Sequence, residues 1–363
     1  MGVKTLMIAG GGTGGHIYPA IAIAREWLAR DPANRRAVFV GTERGLEKTI
    51  VPKAGFPLEF IDVGGLKGKG GIDLIRNVLR LPGGFFQAAG IVKKHNPNLV
   101  LGVGGYSSGP VITAAKLRGI PTLIHESNAF PGLANRVVAR FVTGVAVAFP
   151  EAVARMKRED AVVTGNPIRG EFFELGTRAP GHPGTRLLLF GGSQGSRILN
   201  NTMSEALLFL AHLKDQLEIV HQTGPNDLDK VQTAYRNSAF ANARVVPYLD
   251  PMADEIAAAA LVISRAGAMT IGELAAVGRP AILVPFAAAT NNHQEINARA
   301  VEKAGGAIVI TEKELSPERL ARAITELMTN RERLAQMGTA AKTLAMPDAT
   351  KNIVDLIERI QRD

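Results

Sequence analysis

Val3-Lys4-Thr5-Leu6-Met7-Ile8-Ala9, then Gly10-Gly11-Gly12-Thr13-Gly14-Gly15-His16, then Ile17-Tyr18-Pro19-Ala20-Ile21-Ala22-Ile23-Ala24-Arg25: this opening stretch decides how the chain is read. The apolar run from Val3 to Ala9 has the length and abrupt glycine end of a short buried strand. Ile17 to Arg25 reads as a helix. A strand that feeds a glycine turn that feeds a helix leaves unpaired backbone N–H groups at a positive helix end, a site for a phosphate or a polar sugar face. Glycine suits the turn because it accepts positive φ and lets a ligand approach the backbone. His16 closes the turn, and histidine is the residue type that exchanges a proton near neutral pH.

Three readings of this turn compete. Gly10, Gly12 and Gly15 spell the dinucleotide pattern G-x-G-x-x-G. That pattern also asks for an acid at the end of the second strand. The second strand is Ala37 to Val40, and the next acid, Glu43, comes late. The turn and its histidine can also be purely structural. The third reading is chemistry beside a phosphate, with His16 as the base.

At 363 residues the chain is too long for one small core, and two domains are expected. A hydrophobic content of 46% without low-complexity tracts argues for a folded protein. Cysteine is absent, so disulfides and thiolate metal sites are excluded and a reducing compartment fits. Leu6-Met7-Ile8-Ala9 is too short for a signal sequence, and no apolar run approaches the roughly 20 residues a spanning helix needs. The net charge of +9 calls for an anionic partner: nucleic acid, lipid or a phosphorylated small molecule.

Further strands are expected at Ala37–Val40, Leu58–Ile61, Leu99–Gly102, Thr122–His125, Gly144–Val147 and Ala161–Thr164, with helices between them. Such alternation implies a parallel sheet covered on both faces. Gly165-Asn166-Pro167-Ile168-Arg169 and the Gly/Pro-rich run from Gly176 to Thr185 form the best linker. The pattern then restarts. Arg186–Phe190 is a strand, Gly191-Gly192-Ser193-Gln194-Gly195 a second glycine turn, and strands follow at Leu217–His221, Arg244–Val246, Leu261–Ser264, Ala281–Pro285 and Ala307–Ile310. The expected organisation is α/β throughout, with two Rossmann-like domains facing a cleft. They span residues 1–165 and 166–345, and a last helix in 346–363 packs back on the first.

Ligands of such sheets lie beyond the carboxyl ends of the strands. In the second unit, Ser264-Arg265-Ala266-Gly267-Ala268-Met269-Thr270-Ile271-Gly272-Glu273 takes a strand into a helix start that can hold a diphosphate. Glu273 can accept both hydroxyls of a ribose, or close a capping box with Thr270; the two roles exclude each other. Pro285-Phe286 and Asn291-Asn292-His293-Gln294 bring amides suited to sugar hydroxyls, or form a solvated loop. In the first unit, Gly102 to Pro110, His125-Glu126-Ser127-Asn128 and Asn135-Arg136 bring further polar loops to one edge. Asp227-Leu228-Asp229 spells the D-x-D of metal-dependent transferases, but it follows Gly224-Pro225 and reads as a solvated turn.

Six motifs together resemble the MurG family in order and spacing. They are Gly11-Gly12-Thr13-Gly14-Gly15-His16, Gly104-Gly105-Tyr106, His125-Glu126-Ser127-Asn128, Gly165-Asn166-Pro167-Ile168-Arg169, Gly191-Gly192-Ser193-Gln194-Gly195 and Arg265-Ala266-Gly267-Ala268-Met269-Thr270. The resemblance runs from the first strand to the last helix. It implies a two-domain glycosyltransferase B fold and an inverting transfer of N-acetylglucosamine from UDP-N-acetylglucosamine to the 4-hydroxyl of undecaprenyl-pyrophosphoryl-muramyl-pentapeptide. It implies no metal, no other cofactor and no nucleic acid. It also implies a peripheral place on the cytoplasmic face of the plasma membrane and possible contacts with other cell-wall synthesis proteins.

Carried over by position, His16 and Tyr106 resemble residues near the acceptor, and with Asn128 and Glu126 they make the expected catalytic set. Thr13, Gly14, Gly15 and Asn128 resemble residues at the sugar end of the donor. Arg169, Ser193, Gln194 and Gln294 resemble donor contacts, with Leu249 beside the uracil. Arg265, Ala268, Met269, Thr270 and Glu273 resemble residues around phosphate and ribose, and Asn135 completes the donor set. A base matched to the acceptor hydroxyl contributes roughly 10²–10⁴ in rate, and Arg169, Ser193 and the helix start at Ala268 are expected to hold the charge that develops on departing UDP.

Two rival functions are a UDP-N-acetylglucosamine 2-epimerase, which would need several carboxylates at the sugar, and a basic nucleic-acid-binding protein, which would need a charged stripe with aromatic platforms. Aromatics make up only 5% of the chain and are scattered. The stretch from Leu66 to Phe86 has no part in the donor site. Lys67, Lys69, Arg76 and Arg80 rim apolar residues at helical spacing, Ile75 and Leu79 among them, followed by Phe85 and Phe86. That combination is expected to anchor on anionic lipid, an ordinary amphipathic helix with a solvated basic face being the alternative.

Overall fold

A computed structural model describes residues 3–64, 71–177 and 185–362, the side chains of residues 71–81 and of Thr290 excepted. The expected Lys67 and Lys69 lie outside the described residues, and the side chains of Ile75, Arg76, Leu79 and Arg80 lie outside that description.

The chain divides into two compact units. One comprises the residues up to Ile168 together with those from Met346 onward; the other is Arg169–Ala345. Among the described residues the first holds a parallel sheet of β1 (Lys4–Ala9), β2 (Arg35–Gly41), β3 (Leu58–Phe60), β4 (Leu99–Gly102), β5 (Thr122–Glu126), β6 (Gly144–Val147) and β7 (Val162–Val163). Their order is β3-β2-β1-β4-β5-β6-β7. The second holds β8 (Arg186–Phe190), β9 (Glu218–Gln222), β10 (Arg244–Val246), β11 (Leu261–Ser264), β12 (Ala281–Leu283) and β13 (Ala307–Val309), in the order β10-β9-β8-β11-β12-β13. The expected α/β class and the strands read from the sequence are therefore present, with ends displaced by a residue or two.

Strand composition explains the layering. Leu6 to Ala9, Leu99 to Leu101 and Leu187 to Leu189 are buried on successive positions, as helices on both faces of a parallel sheet require. In each unit the strand order reverses between two adjacent strands, β1 and β4 in the first and β8 and β11 in the second. The splayed crossovers there leave a crevice beyond the strand ends. Glycine turns stand at both points: Gly10–Gly15 after β1 and Gly104-Gly105 after β4, then Gly191–Gly195 after β8 and Gly267 after β11.

The helix Ala349–Ile360 returns to the first unit. Ile353, Val354, Leu356, Ile357 and Ile360 join the core built on Leu6, Ile8, Ile23 and Trp27. Arg30 pairs with Asp355 at 2.7 Å and Arg35 with Glu358 at 2.8 Å. Burial decides this docking, at about 1.5–3 kcal/mol per large apolar side chain against roughly 0–1 kcal/mol for a surface ion pair.

The break between the units falls at Ile168–Arg169 rather than in the glycine-rich run that follows. The helix Gly170–Gly176 already belongs to the second unit, because Phe172 is buried and the helix packs on Ala268–Val277. Lys342 Nζ also donates to the Gly176 carbonyl at 2.8 Å. The helix Gly71–His95 carries Phe85, packed against the first unit's core, and Phe86, 72% exposed. Among the described residues no helix is long and apolar enough to cross a membrane.

Candidate functional site

In the first unit the turn after β1 is bound from two sides. The His16 ring reaches back over it, with Nδ1 3.1 Å from the Gly11 carbonyl oxygen. A carbonyl can only accept, so Nδ1 carries the proton and the neutral ring keeps its lone pair on Nε2. That atom faces the turn after β4: a side chain at Gly104, where φ is +95°, would place its Cβ 3.0 Å from Nε2. At Gly105 a Cβ would lie 2.6 Å from the Gly11 oxygen. Glycine at both positions lets the two turns close on each other.

The other side is held by Glu47, which the sequence reading passed over. Its carboxylate is 1% exposed and accepts from Gly12 N–H at 2.8 Å, Thr42 N–H at 2.9 Å and the Thr42 hydroxyl at 2.9 Å. Its only signal in the sequence is its place among Gly41, Gly45 and the glycines of the first turn. Thr13 and Tyr106 are exposed, Gly14 and Gly15 half-buried at the helix start.

Glu126, expected in the catalytic set, is 3% exposed and both its oxygens accept hydrogen bonds. Oε1 accepts from the Asn128 backbone at 2.9 Å and its amide at 3.1 Å, and Oε2 from Gly132 N–H and the Asn135 amide, each at 2.9 Å. Four donors around one buried carboxylate make a brace for the loop after β5, with nothing left to offer a sugar. Asn135, expected as a donor contact, is buried and gives its amide N–H to this brace. Asn128 is half-buried and bound to the brace, which fixes its place at the strand end. Next to it His125 is fully buried, its Nε2 on the Gly165 carbonyl at 3.0 Å, and burial lowers its pKa.

In the second unit the turn after β8 exposes Ser193 and Gln194 at its tip. Gln222, at the end of β9, braces it and was not foreseen. Its Nε2 donates to the Gly192 carbonyl at 2.9 Å, while its Oε1 accepts from Leu249 N–H at 2.8 Å. Leu249 itself is 1% exposed, with its N–H held by Gln222. Beneath lies a buried chain in which Asn200 donates to the Thr223 carbonyl and to Asp227, each at 2.9 Å, and His221 bridges Asn200 and Tyr235. Burial holds His221 down to about 3 and raises Tyr235. Asp227 is thus not the solvated residue expected; Asp229 is exposed.

The helix Ala268–Val277 begins where expected. Gly267 is its cap and brings no side-chain hydrogen bond, and Thr270 is its third residue. The capping box is therefore not formed, and Glu273 is released from that role. Its side chain is 17% exposed and lies 3.7 Å from the Arg169 guanidinium. Burial pushes the carboxyl up to about 7, with Arg169 pulling the other way. Arg169 also pairs with Glu171 at 3.0 Å and stacks on Phe172, so it is held half-exposed beside Glu273. Ala268, Met269 and Thr270 line the same helix start, the last two half-buried.

Arg265, expected as a donor contact, is held in place by its neighbours. Its guanidinium sits over Phe286, pairs with Glu312 at 2.6 Å and donates to the Val284 and Pro285 carbonyls. It ties two strand-end loops together. Gln294 accepts from Phe286 N–H at 3.0 Å, which ties its carbonyl to the same loop. Among the described residues no group of three or more His, Cys, Asp or Glu is placed to hold a metal ion.

Two family models match the chain: the glycosyltransferase family 28 N-terminal domain over residues 6–147, and the glycosyltransferase family 28 C-terminal domain over residues 186–353. The chain is 47% identical, over 98% of its length and 93% of the relative's, to the UDP-N-acetylglucosamine–N-acetylmuramyl-(pentapeptide) pyrophosphoryl-undecaprenol N-acetylglucosamine transferase of Anaeromyxobacter sp. (strain Fw109-5). A crystal structure of MurG from Acinetobacter baumannii resembles it with a TM-score of 0.82 at 32% identity, covering 98% of this chain and 99% of that one. The UDP-GlcNAc 2-epimerase from Neisseria meningitidis, bound to UDP-GlcNAc, resembles it with a TM-score of 0.70 at 11% identity, over 98% of this chain and all of the other, and shares the fold alone.

Proposed function

Because the chain belongs to the MurG family of glycosyltransferase family 28, we propose that it transfers N-acetylglucosamine from UDP-N-acetylglucosamine to pyrophosphoryl-undecaprenol-linked N-acetylmuramyl-pentapeptide. The observation that carries the reading is the 47% identity, over 98% of this chain and 93% of the other, shared with a relative named for that transfer. The glycine turns at both switch points support it.

The chemistry divides between the two units. Nε2 of His16 takes the proton from the acceptor 4-hydroxyl as the oxygen attacks the anomeric carbon. The C1–O bond to UDP breaks on the opposite face, which inverts the configuration. The departing diphosphate settles on the helix start at Ala268, with Ser193 and Arg169 adding donors where its charge grows. Glu273, ionised, accepts the two ribose hydroxyls, and Leu249 lies beside the uracil. Thr13, Gly14, Gly15 and Asn128 hold the sugar.

The epimerase reading loses its support with Glu126, whose oxygens are already spent on four protein donors. A nucleic-acid function is disfavoured by the sparse aromatic content, 5% of the chain. The lipid-linked acceptor also calls for a peripheral anchor at the cytoplasmic face, and exposed Phe86 on the helix Gly71–His95 supports placing it there. Transfer of radiolabelled N-acetylglucosamine from its UDP donor to the lipid-linked muramyl-pentapeptide tests the whole proposal. Formation of UDP-N-acetylmannosamine, or of UDP and N-acetylmannosamine with consumption of water, without an acceptor would instead mark an epimerase.

A further inference from the structure

Glu47 and His16 grip opposite ends of one peptide group. The N–H that donates to Glu47 Oε2 is that of Gly12, and the carbonyl that accepts from His16 Nδ1 is that of Gly11. These are the two polar ends of the Gly11–Gly12 peptide bond. Amide resonance couples them: an anion drawing on the N–H adds negative charge to the carbonyl oxygen, which then holds the imidazole proton more firmly.

The packing shows that this carboxylate is placed, not incidental. It is buried, and every hydrogen bond it makes is with a donor. Gly11 in the first turn, Gly41 at the end of β2 and Gly45 before the helix Glu47–Lys53 each stand where a Cβ would collide with it. Three separate stretches of backbone have thus been stripped of side chains to seat one acid under one peptide plane.

We propose that Glu47 is a positioning residue that acts on His16 through the Gly11–Gly12 peptide. It fixes the tautomer that leaves Nε2 free and stabilises the imidazolium that forms when Nε2 takes a proton. The arrangement does the work of an acid–histidine pair with a peptide bond between the partners. It rests on His16 being the base, as proposed above. His125 on β5 lies within electrostatic range of His16 and is kept neutral by burial; Tyr18 follows on the same helix and Tyr106 on the facing turn.

The test uses the full-length protein labelled with ¹⁵N-histidine, the His16 signals being assigned by their loss in His16→Asn. In the parent the neutral His16 ring is expected to carry its proton on Nδ1. In Glu47→Gln the ring should become a mixture of tautomers and its titration midpoint should fall, because an anion that favoured the charged ring is gone. Partners that orient a histidine are typically worth 10–100-fold at metal sites, so kcat should fall about 10-fold or more, with KM for UDP-N-acetylglucosamine little changed.

Thr42→Val removes one hydrogen bond from the same carboxylate but keeps its charge. It should lower the melting temperature and leave the His16 spectrum unaltered. Glu47→Asp keeps the charge one methylene further away and gives an intermediate spectrum, which also serves if the glutamine variant does not fold. An unmoved tautomer and midpoint in Glu47→Gln overturns the proposal. So does an equal loss of kcat from Glu47→Gln in the His16→Asn background, or a Thr42→Val spectrum like that of Glu47→Gln. If His16→Asn alone keeps full kcat, the base reading fails, while the spectra still decide whether Glu47 governs the ring.

Discussion

Replacing Glu273 with Gln should make the protein more stable and worse at holding UDP, and both effects should depend on pH. Its carboxyl is raised from 4.5 to about 7 because burial opposes the charge more than Arg169 favours it. The folded state therefore holds a proton that the unfolded state has lost between those two values. Stability contributed by this group is full below about 4.5 and declines as pH rises towards 7. At 1.36 kcal/mol per unit, the charged carboxylate costs the fold about 3 kcal/mol at pH 8. Glutamine removes that cost. For a domain of 150–250 residues, 1 kcal/mol corresponds to about 2–4 °C, so Glu273→Gln should melt several degrees higher at pH 8 and no higher at pH 4.5. UDP should respond in the opposite sense. Ribose hydroxyls donate to the ionised form, so parent affinity should fall below pH 7 by up to about tenfold per unit, and Glu273→Gln should bind at least tenfold more weakly at pH 8, at about 1.5–3 kcal/mol for a hydrogen bond to a charged group. Calorimetric titration with UDP from pH 5.5 to 8, with the variant run alongside to remove the titration of UDP itself, measures this. Equal affinities for parent and variant across that range would refute the ribose role.

His16→Ala should lower kcat by on the order of 10²-fold or more, with the UDP dissociation constant, measured by the same titration, unchanged. Glu126→Gln keeps the shape of the brace but sets an amide N–H against a donor, so it should cost the first unit about 2–3 kcal/mol in denaturant melts; loss of the 4-hydroxyl transfer with undiminished stability would return Glu126 to the chemistry. Phe86→Ser together with Lys67, Lys69, Arg76 and Arg80→Gln should abolish salt-sensitive co-sedimentation with cardiolipin vesicles, at about 1 kcal/mol per basic residue near the surface, and unchanged sedimentation would place the anchor elsewhere.

Most strands were legible because they are short, largely apolar runs stopped by glycine, proline or a polar turn, and nothing in Leu99–Gly102 or Leu261–Ser264 competes with that reading. The glycine turns were legible for the same local reason. What local pattern could not show was which polar side chains a loop consumes internally. Glu126, Asn135 and Arg265 have the chemistry of ligand contacts, and only their partners, brought from two to forty-seven positions away, show what they hold within the fold. Glu47 was missed for the converse reason. It looks like any acid at a helix start, and its meaning lies in a peptide 35 residues upstream. Gln222 likewise gains its role only when β9 lies beside β8.

The return of the last helix to the first unit has a consequence for how the chain is made. Everything needed for the first sheet leaves the ribosome by Ile168, but Ile353, Val354, Ile357 and Ile360, which cover the helix carrying Ile23 and Trp27, follow only after the whole of Arg169–Ala345. At about 5–20 residues per second the interval is roughly ten to forty seconds. During that time the nascent amino-terminal unit carries an uncovered apolar stripe, while the second unit, continuous in sequence, can complete itself as it emerges. A premature stop after Ala345 therefore leaves the later-translated unit whole and strips the cover from the one that was translated first.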